Sequence, residues 1–126
     1  MAIVRWIFWA AAIFGIAVIA PLYFLEGFMS ANFPPPIARP ENYYGFVGVT
    51  LASQFLYVLI ALDPVRFRPV ILVGMAGKLS FVGACAILYL QGRIALPVFA
   101  MSLFDLVWVV LFALAWRRIG RISQPA

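Results

Sequence analysis

Four apolar runs, each about as long as a bilayer-spanning helix of roughly 20 residues, dominate this 126-residue chain. They cover about 6–25, 43–62, 70–90 and 95–116. A hydrocarbon core offers no water to backbone N–H and C=O groups, so each run must satisfy them internally, as a helix. The expected fold is therefore all-α: an integral membrane four-helix bundle forming a single transmembrane domain. Composition agrees. The chain is 67% hydrophobic and 10% charged, with a mean hydropathy of +1.09, whereas soluble domains are about half apolar and a quarter charged.

The connections carry the charge. The net charge of +5 sits at the ends of the apolar runs rather than on one basic face. That spacing sets membrane orientation and gives no nucleic-acid partner. Arg5, Arg66, Arg68, Arg117, Arg118 and Arg121 fall on one side, and Arg39 and Arg93 on the other. The positive-inside bias places both termini in the cytoplasm and the Pro-rich connection 26–42 outside. A basic residue before an apolar run also begins a secretory signal. Here the run has full-span length, and its one small-residue cleavage position, after Ala20, precedes Pro21, so a retained helix is expected. Pro21 should loosen that helix's outer end. In the outer connection, Pro34, Pro35 and Pro36 favour polyproline II. Its apolar residues Phe28, Met29, Phe33 and Ile37 suit either a linker or a docking surface.

Three runs contain buried-looking polar groups. On the second helix Gly45, Gly48 and Ala52 share one face, with Thr50, Gln54 and Tyr57 opposite. The third carries Gly74, Lys78, Phe81 and Cys85 on one face and Ala76, Ser80, Gly83 and Ala84 on the other, a small-residue pattern that lets helices approach closely. The fourth has Asp105 near its middle, with Ser102 and Trp108 a turn to either side. At about 1.5 Å rise per residue, Lys78 and Gln54 lie about 12 Å from the cytoplasmic edge and Asp105 about 16 Å. A charge at that depth costs roughly 2.5–3.5 kcal/mol on insertion scales, so Lys78 needs a partner. The expected layer is Gln54, Lys78 and Asp105, supported by Thr50, Tyr57, Ser102 and Trp108. Its role is either to fix helix register or to serve as a relay or polar pocket.

Catalytic signals are sparse. There is no histidine, which removes the commonest general base and the usual haem or zinc ligand. Glu26, Glu41, Asp63 and Asp105 are too dispersed for a carboxylate metal site, and Cys85 has no partner in sequence. Phosphate-binding loops and nucleophile elbows are absent from the sequence. No cofactor and no metal is expected, and an enzyme is the less favoured class.

From Tyr43 to Arg118 the chain resembles small four-helix bacterial membrane proteins, broadly DoxX-like. The carrying stretches are YYGFVGVTLASQ, the inner turn DPVRFRP, GKLSF, LYLQGR and the FDL around Asp105. The resemblance implies a bacterial inner-membrane protein of uncharacterised function. Similar proteins often carry an acid directly before the lysine; Gly77 stands there in this chain, which leaves Asp105 as the intramembrane counter-charge. Three functions follow as expectations. The first is an accessory or scaffold subunit that, beyond the lipid bilayer, contacts a larger membrane complex or further copies of itself. The second is a small transporter or proton-coupled carrier using Lys78 and Asp105. The third, implied by the resemblance, is a membrane-bound redox-associated protein acting with quinone or lipid.

Overall fold

Prolines mark where three of the α-helices begin. A computed structural model describes residues 1–33 and 35–123. Its α-helices are α1 (Ala2–Ile19), α2 (Glu26–Asn32), α3 (Pro40–Leu62), α4 (Arg68–Leu90), α5 (Leu96–Ser102) and α6 (Phe104–Ser123), with a 3-10 turn over Ala20–Phe24 after α1. No strand occurs among the described residues. Pro40, Pro69 and Pro97 each occupy a first or second helical position, where a missing N–H breaks no intrahelical bond. Arg39, held away from helical backbone by Pro40 directly after it, and Ala95, in extended backbone, set the entry angles of α3 and α5.

Four spans are long and apolar enough to cross a membrane: Ala2–Phe24, Pro40–Leu62, Arg68–Leu90 and Leu96–Ile122. The last combines α5 and α6. They form an up-and-down bundle in chain order, in which α1 packs on α3 and α6, and α4 packs on α3 and α6. Much of the outer surface is Ile, Leu, Val and Phe left uncovered, as lipid requires of a spanning bundle.

Several local details depart from the sequence expectation. The outer connection is partly helical, because α2 forms within it and α3 starts three residues before Tyr43. Pro35 and Pro36 lie in irregular backbone, and Pro34 falls outside the described residues. At Pro21 the chain tightens from α to 3-10 geometry. The C-terminal arginines continue α6 rather than forming a tail, which their helix propensity permits. The fourth span, read as one helix over 95–116, is interrupted at Leu103. Beside the break, Ser102 Oγ donates to the Phe99 carbonyl at 2.6 Å, a back-bond that competes with the helical ladder.

Both ends of the bundle are fastened by side chains. At the end that carries the Pro-rich connection Tyr43 donates to the Leu22 carbonyl at 2.6 Å and Tyr44 to Glu26 at 2.8 Å, while the rings of Tyr23 and Tyr44 stack. Gly92, at φ +70°, closes α4 in a Schellman turn: Arg93 N–H reaches Leu88 C=O and Gly92 N–H reaches Tyr89 C=O. At the opposite end Arg5 donates to the Leu62 carbonyl at 3.1 Å, tying the start of α1 to the end of α3. Arg68 donates to the Trp116 carbonyl at 3.0 Å and lies over the Trp116 ring at 3.8 Å. Gly120 makes room for this crossing, because a Cβ there would collide with the guanidinium. The start of α1, the α3–α4 turn and the end of α6 therefore share one basic end.

The Arg68 clasp yields a test. Arg68→Lys keeps the charge but loses the planar stack and the directed N–H fork. Unfolding in mixed micelles is expected to show a loss of about 1–2 kcal/mol. An unchanged midpoint would mean that the clasp contributes nothing.

Candidate functional site: a buried ion pair in an aromatic frame

Lys78 stands in mid-α4 and Asp105 in the first turn of α6. Lys78 Nζ and Asp105 Oδ1 are 3.3 Å apart, with 14% and 27% of the two side chains exposed. The break at Leu103 matters here. It places Asp105 in the first turn of α6. Isolated in hydrocarbon either charge would be expensive; together they neutralise each other.

Aromatic rings complete the surroundings. Lys78 Nζ lies 5.5 Å from the Tyr57 ring centre and 5.9 Å from that of Phe112, within cation–π range of both. Those rings meet edge to face at 5.0 Å, and Phe112 stacks on Phe8 at 4.6 Å. Gly74, one turn before Lys78, leaves space for Tyr57: a Cβ there would stand 3.0 Å from Tyr57 Cε1. The ammonium thus rests on the core formed by Val4, Phe8, Tyr57, Ile60, Ile71, Phe112 and Ile119.

Other members of the expected layer go elsewhere. Gln54 is buried, but its side-chain N–H donates to the Thr50 carbonyl at 2.8 Å on its own helix, and no hydrogen bond joins it to Lys78 or Asp105 among the described residues. Its amide fills the notch that Gly15 leaves on α1, so tightly that a Cβ on Gly15 would overlap it. Thr50 acts through its backbone carbonyl. Tyr57, assigned only a supporting part, is the α3 residue that faces Lys78. Ser102 is buried and bonded to Phe99, and Cys85 lies beside it. Trp108 packs on Phe14 and Phe112 at 5.9 and 6.3 Å and makes no hydrogen bond to the pair. Periodicity alone had hidden Phe112 and Gly15. Phe112 falls seven residues after Asp105, on the same face two turns on.

Chemically, this arrangement holds one fixed cation and one fixed anion against a dry aromatic wall. Among the described residues no three His, Cys, Asp or Glu side chains gather to hold a metal. Comparisons of the chain with protein families, with curated proteins and with solved structures find no match.

Two tests follow. Lys78→Met and Asp105→Leu are each expected to lose about 3 kcal/mol or more, because each strands a buried charge. The double substitution should recover most of that loss, and additive damage in the double-mutant cycle would refute the coupling. Gly15→Val should cost about 1–3 kcal/mol by overpacking the Gln54 notch. Adding Gln54→Ala should return part of it, and no recovery would place the strain elsewhere.

Proposed function

We propose that this chain is a small multi-pass subunit of the bacterial inner membrane, with both termini cytoplasmic, that packs against other membrane proteins. One observation carries the reading. The outward face of α4 presents Ala76, Gly77, Ser80, Gly83 and Ala84, all exposed, and at Gly77 and Gly83 a Cβ would meet nothing within 4 Å among the described residues beyond its own stretch of helix. Small residues at four-residue spacing allow two helix backbones to approach closely, and that proximity is a main source of helix association in lipid. The Ser80 hydroxyl is satisfied by the Gly77 carbonyl at 2.8 Å, so the face presents no stranded polar group to a neighbour. The DoxX-like affinity rests on the sequence pattern from Tyr43 to Arg118, and the cytoplasmic placement on the arginine distribution.

A specific feature favours a second reading, a small proton-coupled carrier: Asp105 keeps about a quarter of its side chain exposed at mid-span. The two readings separate experimentally. Gly77→Leu with Gly83→Leu should leave the thermal midpoint nearly unchanged while abolishing association in native electrophoresis from mild detergent. A wild-type chain that travels strictly alone would refute the subunit reading. Proton uptake into proteoliposomes that is lost in the Lys78→Met, Asp105→Leu variant, with its stability recovered, would establish the carrier instead.

A further inference from the structure

The six arginines at the basic end divide into two groups of three. Arg5 and Arg68 are engaged with the carbonyls of Leu62 and Trp116, and Arg66 lies over the Phe67 ring with its backbone N–H bonded to Asp63. Arg117, Arg118 and Arg121 make no ion pair or side-chain hydrogen bond among the described residues. The acids are elsewhere: Asp105 belongs to Lys78, Glu41 to Arg39, Glu26 to Tyr44 and Asp63 to the α3–α4 turn.

These three arginines line one end of a groove of about 530 Å³ between α1 and α6. Its walls are apolar, with Ile3 and Ile7 on α1 facing Leu111 and Leu114 on α6, over a floor that includes Val4 and Ala115. From Leu111 to Arg121 it runs about 15 Å along the helix. The groove changes character along that length: Ile7, Leu111 and Leu114 line its deeper part, and Arg117, Arg118 and Arg121 gather where the helix reaches the basic end, with Ile3 and Ile122 also lining it. An acyl chain fits the first part and a phosphodiester the second. Guanidinium groups bind phosphate oxygens bidentately and are weakly hydrated, which suits a headgroup at the interface. A partner helix would fill the apolar walls but leave three charges to be met, whereas an anionic lipid satisfies both ends with one molecule.

We infer that the α1/α6 groove is a binding site for one anionic phospholipid of the leaflet at the basic end, with its phosphate on Arg117, Arg118 and Arg121 and an acyl chain along Ile3, Ile7, Leu111 and Leu114. Basic pockets between spanning helices are a recognised setting for acidic headgroups. The inference is independent of the small-residue face on α4.

Native mass spectrometry of the full chain in mild detergent, titrated with phosphatidylglycerol or phosphatidylcholine, tests it. The expected result is one saturable phosphatidylglycerol adduct, preferred over phosphatidylcholine on the order of tenfold. The R117Q/R118Q/R121Q variant should lose that preference, and R118Q or R121Q alone, which serve if the triple variant does not purify, should each lose about threefold. Arg66→Gln, at the same end but outside the groove, should change nothing. Leu114→Trp, which obstructs the exposed wall, should weaken both lipids while the charges remain. Equal binding of the two lipids by the wild type would overturn the site. So would an Arg66→Gln loss as large as that of the groove arginines, which would indicate surface charge alone, or glycerol phosphate without acyl chains binding as well as the lipid.

Discussion

The contact between Lys78 and Asp105 places the strictest demand on the bundle. Apolar helices in lipid slide and rotate against one another at little cost, because hydrocarbon outside resembles hydrocarbon inside. A charged pair removes that freedom. A rotation of α4 or an axial shift of α6 that carries Nζ out of reach of Oδ1, now 3.3 Å away, strands two charges. Other features adapt to that requirement. Gly74 admits the Tyr57 ring, Phe112 supplies a second aromatic face, and the interruption at Leu103 gives Asp105 the N-terminal turn of a helix.

Below the pair, toward the basic end, aromatic and aliphatic side chains from α1, α3, α4 and α6 interlock around Phe8 and Phe112. Above it, fewer large side chains are buried, and the outer end is tied by tyrosine hydroxyls and the stacked ring of Tyr23. The two halves therefore resist deformation by different means. Packing holds the basic half, and directional hydrogen bonds hold the outer one.

Much of this architecture was legible from the chain alone, because lipid imposes a simple code: span length, helical satisfaction of the backbone, and charges at the edges. The pairing of Lys78 with Asp105 is readable for the same reason, since the apolar runs leave each so few partners at its depth. Gln54 was not readable. Its depth matched the pair, but its azimuth turned on Gly15 of α1, 39 residues away, which reads in sequence as one small residue among many. The break at Leu103 was equally concealed: no proline or glycine marks it, and a serine bonded to its own helix stands beside it. The first turn of α2 was hidden by three prolines that follow it. Span positions follow from additive hydrophobicity, whereas rotation and local bends follow from single tertiary contacts.

The two ways of satisfying polar groups carry a consequence for biogenesis. Gln54 completes its bond to Thr50 within α3, so that segment is ready to leave the translocation machinery as a solitary helix. Lys78 and Asp105 lack that independence, since each needs the other's helix beside it. The tight Gly92 turn keeps those two helices close in sequence as well as in space. The last two spans therefore satisfy their charges only as a hairpin, with α4 and α6 side by side.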